Sequence, residues 1–175
     1  MKREPHRRQV ARTVLVVGEG DAEVLFLQHL KALYVQRGSG VVVTIKNARG
    51  KGAAHVVDFA SRQSRNAAYD LVVALLDTDA DWNDKTRTAA RKNRVHVAPC
   101  EPCLEALLLS IHHGAVQGRN SAQLKQDFVA RFGGAAHDPA VLRHFNRLAL
   151  DAALQRVAVL ASLLRALTFA EWPAG

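Results

Sequence analysis

Hydrophobic positions along the chain follow two alternating patterns. Short, largely apolar runs of strand length and rich in Val, Ile or Leu occupy residues 41–45 and 95–98, interrupted only by Thr44 and His96, and unbroken ones occupy 14–17 and 71–76. Such runs are what strands buried on both faces require. Between them the apolar positions recur at helical spacing. Val24, Leu27, Leu30 and Leu33-Tyr34 make one stripe within 21–37, closed by Gly38, and Val56, Val57 and Ala60 make a second within 53–64. Residues 83–93 predict a basic, mostly exposed helix, and 101–113 a strongly apolar one. Pro99 is expected to end the fourth strand and Pro102 to sit in the first turn of the helix after it. This alternation predicts a three-layer α/β domain over residues 12–113 with a four-stranded, mostly parallel sheet.

Residues 114–175 have a different character and predict a helical C-terminal extension. Residues 114–118 read as a loop and 121–132 as a helix closed by Gly133-Gly134. One long helix or two shorter ones then span about 140–169. Leu148, Leu150, Leu154, Val157, Leu160, Leu163, Leu164 and Leu167 exceed what a single stripe needs. These helices pack either on the α/β domain or on a partner subunit as a homodimer.

Composition narrows the class of protein. Apolar residues make up 49% of the 175 and charged residues 23%, the balance of a folded globular chain. No apolar stretch is long enough to span a bilayer, so no membrane partner is expected. The basic tail at 1–11 precedes no signal-peptide core. Two cysteines without a disulfide framework predict the reducing cytoplasm. A net charge of +8 points to a polyanionic partner. Nine of the sixteen acids nevertheless gather at the ends of three predicted strands and the turns after them: Glu19, Asp21, Glu23, Asp77, Asp79, Asp81, Asp84, Glu101 and Glu105. In parallel α/β sheets that edge is where ligands bind.

The central strand runs directly into Asp77, Asp79 and Asp81. Side chains two apart on an extended chain share a face about 7 Å apart, and like charges so placed raise one another's pKa unless a cation or solvent intervenes; the plainer alternative is a solvated turn in which one aspartate caps the next helix. Three aspartates on alternate positions therefore suggest a divalent metal site, Mg²⁺ or Mn²⁺. The first strand ends in Gly18-Glu19-Gly20-Asp21-Ala22-Glu23. As a dinucleotide fingerprint it is broken: Glu23 replaces the last glycine, and the acids would repel a pyrophosphate. Asp21 and Glu23 suit a helix N-terminus as simple capping residues, whereas Glu19 is placed to project toward Asp77.

These motifs carry a family resemblance. Strand-Glu-Gly-x-x-acid followed later by strand-Asp-x-Asp resembles the Toprim domain of topoisomerases, primases and overcoming-lysogenization-defect nucleases. The stretch Glu101-Pro102-Cys103-Leu104-Glu105-Ala106-Leu107-Leu108-Leu109 is similar to the Asn-Pro-Cys-Phe-Glu-x-Trp-Leu-Leu signature of RloB-like proteins, a Toprim-related group associated with phage defence. Glu101 stands where that signature has Asn, and Leu107 where it has an aromatic. The resemblance implies a Toprim/Rossmann-like fold over residues 12–113, with Glu19 as general acid/base and Asp77 and Asp79 as magnesium ligands. Asp81 or Glu105 would complete the shell or a second metal position, Glu105 sharing a helix face with Glu101.

The resulting expectation is a Mg²⁺-dependent nuclease acting on DNA or RNA, with Lys46, Arg49, Lys51, Lys85 and Arg87 holding the phosphate backbone. A non-catalytic nucleic-acid- or nucleotide-binding subunit working with a separate ATPase is the alternative, since the chain has no Walker-type loop. Cys100 and Cys103 resemble a thioredoxin-type pair in spacing, but neighbouring acids would raise a thiol pKa and disfavour the thiolate. His112 and His113 read as helix-end histidines, too far along the helix for one ion to join them to Glu105. Trp82 either stacks on a base or packs beneath the sheet rim. Tyr34 and Tyr69 lie within predicted core elements, which disfavours a tyrosine nucleophile.

Overall fold

The computed structural model describes residues 11–173; the basic tail expected over 1–11 lies, but for Ala11, outside them. Four strands, β1 (Arg12–Gly18), β2 (Val41–Asn47), β3 (Leu71–Asp77) and β4 (His96–Cys100), form one sheet in the order β2-β1-β3-β4. Every neighbouring pair is parallel. Helices α1 (Asp21–Tyr34), α2 (Gly52–Asn66), α3 (Asp84–Lys92) and α4 (Leu104–Ile111) follow the strands in turn. The α/β three-layer architecture is thus the one the apolar runs predict.

The pleat explains why the strands are apolar throughout. Val14, Val16, Leu71, Val73 and Leu75 face one layer, whereas Leu15, Val17, Val72, Ala74 and Leu76 face the other. α1 and α4 cover the first face, and α2 and α3 the second. Because β1 leads to β2 on one side and β3 lies on the other, the order in which strands are added across the sheet reverses between β1 and β3. A crevice opens there at the strand carboxyl ends.

The extension joins the first face. Helix α5 (Ser121–Phe132), a 3₁₀ turn at Pro139–His144, α6 (Arg147–Ala153) and α7 (Ala158–Phe169) follow α4. Leu124, Phe128, Phe145, Leu150, Leu160, Leu163 and Leu167 are buried in the same core as Val14 and Leu75. The extension's apolar surface is therefore largely consumed within this chain, apart from Val129, Leu148 and Phe169, which are 46%, 80% and 63% exposed. No single helix among the described residues is long and apolar enough to cross a membrane, and α6 and α7 meet at 117°.

Three local expectations need correction. β4 continues through Pro99 to Cys100, pairing Leu76 with Pro99 and Asp77 with Cys100; as an edge strand it tolerates a missing donor. Pro102 lies before α4 rather than in its first turn, because its carbonyl accepts the N–H groups of Thr78 and Asp79 at 3.0 and 3.2 Å. Glu101 consequently sits off the helix and shares no face with Glu105. β2 extends two residues beyond the apolar run at 41–45, to Asn47, so Lys46 belongs to a strand tip rather than to the basic loop that residues 46–52 suggest.

Candidate metal centre at the β1–β3 crevice

Backbone pairing brings the two acidic motifs together. Glu19 follows β1 and donates its N–H to the Leu75 carbonyl at 3.1 Å, while its carboxylate accepts the Asp77 N–H at 3.1 Å. Residues 58 positions apart in the chain thus lie side by side because their strands are neighbours. Asp77 continues the face of Leu71, Val73 and Leu75, so its carboxylate enters the layer that holds the first turns of α1 and α4. Glu23 stands in the first and Glu105 in the second.

Glu23 is the capping residue its place at the helix start predicts: its carboxylate accepts the Gly20 N–H at 2.8 Å. It is also only 7% exposed. Burial raises its pKa, against the lowering effect of backbone hydrogen bonds, with further raising contributions from Glu19 and Glu105. Packing at this turn is close: a Cβ on Gly18 would come within 3.0 Å of Glu23 Cβ and the Val24 backbone nitrogen. Glycine at position 18 is what lets α1 start so near the strand. The signal for Glu23 lay in its place in the first turn of the helix that follows Glu19 directly.

Asp77 is where the electrostatic cost concentrates. Burial, followed by the charges of Glu23, Glu19, Asp79 and Glu105, pushes its pKa up to about 8. Its Oδ1 is buried without a hydrogen-bond partner. A buried, unpartnered carboxylate oxygen amid four acids is a place where a cation would remove several unfavourable terms at once. The donors are all oxygen, as Mg²⁺ or Mn²⁺ prefers. Among the described residues, however, no three His, Cys, Asp or Glu side chains stand grouped to hold an ion as they lie. Three of the four neighbours of Asp77 are turned aside onto another group: Glu19 onto the Asp77 N–H, Glu23 onto Gly20, and Asp79 onto Ser121 Oγ at 2.6 Å.

Asp81 departs from the expected cluster. β3 ends at Asp77, and the bend after it, with Asp81 at φ +45°, destroys the alternation that would have kept three aspartates on one face. The Asp81 carboxylate accepts the Ala53 N–H at 2.7 Å at the start of α2. Gly52 accommodates this contact, having φ +80° and no room for a Cβ, which would lie 2.8 Å from Asp81 Oδ1. Asp81 is therefore a capping group for α2, remote in sequence from the helix it caps.

The remaining candidates sort by position. Arg49 and Lys51 lie on the loop between β2 and α2, and Gly50 of that loop donates to the Glu19 carbonyl at 2.7 Å. Lys85 and Arg87 lie on exposed turns of α3; Arg87 pairs with Asp84 at 3.1 Å and stands over the Trp82 ring, 5.5 Å from its centroid. Trp82 itself is half-buried against the α2–α3 side of the sheet. His112 Nε2 is 2.7 Å from the His144 carbonyl, and its ring packs on Phe132 and Phe145, as a helix-end histidine would. Both thiols are buried; burial and the nearby acids raise Cys100 well above the usual thiol range and Cys103 to about 11. No family model, curated protein or solved structure matches the chain, so the Toprim and RloB resemblance rests on the motifs at Glu19, Asp77 and Pro102.

Proposed function

We propose that the chain is a Toprim-like, divalent-metal-dependent nuclease of the RloB type, hydrolysing phosphodiester bonds in nucleic acid. The observation that carries this reading is the buried, partnerless Asp77 Oδ1, set beside Glu19 and encircled by further carboxylates. Such an arrangement costs folding energy and is retained where a cation uses it. Asp77 and Asp79 would hold the ion, with Glu105 and Glu23 within electrostatic reach of the same position. A bound Mg²⁺ supplies Lewis-acid polarisation of the phosphate and neutralises the oxygens of the reacting centre. Glu19 lies at the mouth of the crevice, where its carboxylate can orient water and accept a proton once released from the Asp77 N–H. Asp81 has no part in this chemistry. A role in phage defence follows from the resemblance and belongs to the same proposal.

The test is to incubate purified protein with labelled DNA and RNA, with and without Mg²⁺ or Mn²⁺. Cleavage that requires the ion and disappears in Asp77→Asn and Glu19→Gln supports the assignment. Cleavage that survives either substitution, or tight binding without cleavage under any metal, overturns it in favour of a non-catalytic binding subunit.

A further inference from the structure

Beside the carboxylate crevice, the edge strand β2, the loop after it and α2 enclose an open depression of about 530 Å³. Its lining includes Lys46, Asn47, Arg49, Lys51, His55 and Phe59. Among the described residues, neither Arg49 nor Lys51 pairs with a carboxylate. Their backbone is unusual. Arg49, Gly50, Lys51 and Gly52 adopt φ of 63°, 76°, 77° and 80°, four left-handed residues in succession. Two of them are not glycine, and such conformations cost energy that surrounding contacts must offset. Those contacts tie the loop to the crevice: Gly50 N–H bonds the Glu19 carbonyl, and Asn47 Nδ2 bonds Asp21 Oδ1 at 2.7 Å.

The floor of the depression is aromatic. The His55 and Phe59 rings lie 6.4 Å apart and tilted 36° on successive turns of α2, and His55 Nε2 is fixed 3.1 Å from the Ala48 carbonyl. Both side chains are half-buried, so each keeps part of its surface open. A cationic rim over an aromatic floor matches a nucleotide whose base is unstacked: the rim takes the phosphates and the rings take the base. Bases in a duplex are already stacked on one another and offer no free face.

We propose that this depression seats an unpaired nucleotide adjacent to the phosphate held at the crevice, with Phe59 and His55 stacking on the base and Arg49 and Lys51 on the backbone. The substrate class is then single-stranded DNA or RNA. This deepens the nuclease reading and rests on its nucleic-acid partner, although not on cleavage.

Binding can be measured on the full chain in EDTA, where cleavage plays no part, by anisotropy of labelled oligo(dT), oligo(rU) and a duplex. The wild-type protein is expected to bind a single strand more tightly than the duplex. Preference for oligo(rU) or for oligo(dT) supports the proposal equally and assigns RNA or DNA. Phe59→Leu keeps an apolar side chain but removes the stacking face; it should weaken single-strand binding about tenfold and leave duplex binding unchanged. His55→Ala should weaken it in the same sense. Arg49→Ala combined with Lys51→Ala should lower the salt dependence of binding by about 0.7 per lost phosphate contact. Wild-type single-strand affinity in both ring variants, with unchanged melting temperatures, would overturn the proposal, as would a preference for duplex. Failure to cleave any substrate counts against the nuclease reading instead and leaves this measurement intact.

Discussion

Asp77 Oδ1 is buried and has no donor within reach, while the other acids of the crevice each accept a hydrogen bond or face solvent. Replacing the carboxyl by the isosteric amide removes a group whose ionisation is opposed in the fold by burial, Glu23 and Glu19 but permitted in the unfolded chain. In metal-free buffer Asp77→Asn should therefore melt a few degrees above wild type, since each kcal/mol moves Tm by about 2–4 °C at this chain length. On the proposed metal site, Mg²⁺ should raise the Tm of the wild type and leave that of Asp77→Asn unchanged. The pH dependence has a definite sign. The folded-state pKa is raised from 3.8 to about 8, so the folded protein holds a proton that the unfolded chain releases. That contribution to stability is fully present below pH 3.8 and lost as pH rises through about 8. A divalent ion held as proposed would compete for the same oxygens and displace the proton. Thermal shift at fixed Mg²⁺ should consequently grow between pH 6 and pH 9 in the wild type and stay flat in Asp77→Asn.

At the scale of elements, the two aspartates flanking the β3–α3 turn divide into a site residue and a structural one, and substitution separates them. Asp81→Ala removes the acceptor for the Ala53 N–H at the start of α2. It should cost about 1 kcal/mol in urea unfolding, the usual loss for a helix cap, while the Mg²⁺-induced shift in Tm persists. Loss of that shift would return Asp81 to the metal site. The strands were legible in the sequence because burial on both faces leaves no polar position to blur the run at 71–76. The convergence of Glu19 with Asp77 was legible because motifs ending neighbouring parallel strands must meet. What strand periodicity could not show was where the chain leaves extended geometry: the bend after Asp77 turns Asp81 away. Pro102 was misplaced because its carbonyl answers donors on β3, a long-range demand invisible to local pattern. In the tail, Leu154 and Val157 are apolar on both sides of the break between α6 and α7, so hydrophobicity carried no mark of the 117° turn. Once α7 is laid on the sheet, its contribution is measurable: Leu163→Ala, at a fully buried position, should cost 2–5 kcal/mol.

At the scale of the whole molecule, charge is divided against itself. Twenty-four lysines and arginines oppose sixteen acids, yet the crevice that would meet a phosphate is lined by carboxylates. A polyanion is drawn to the body and repelled at the crevice unless a cation stands between them. This conflict predicts how binding responds to Mg²⁺. In solution the ion competes with basic side chains for phosphates and weakens nucleic-acid binding, as any salt does. At the crevice it would act in the opposite sense by joining Asp77 and Asp79 to a phosphate oxygen. The protein with Asp77 intact should therefore lose less affinity than Asp77→Asn when Mg²⁺ is added at constant ionic strength, both carrying Glu19→Gln so that the strand stays uncut. With Na⁺ in place of Mg²⁺, the two proteins should decline in parallel, because the monovalent ion acts on the phosphates alone. Equal losses for both proteins in Mg²⁺ would mean that the carboxylates join no ion to the strand, and the repulsion at the crevice would then have to be relieved by protonation of Asp77.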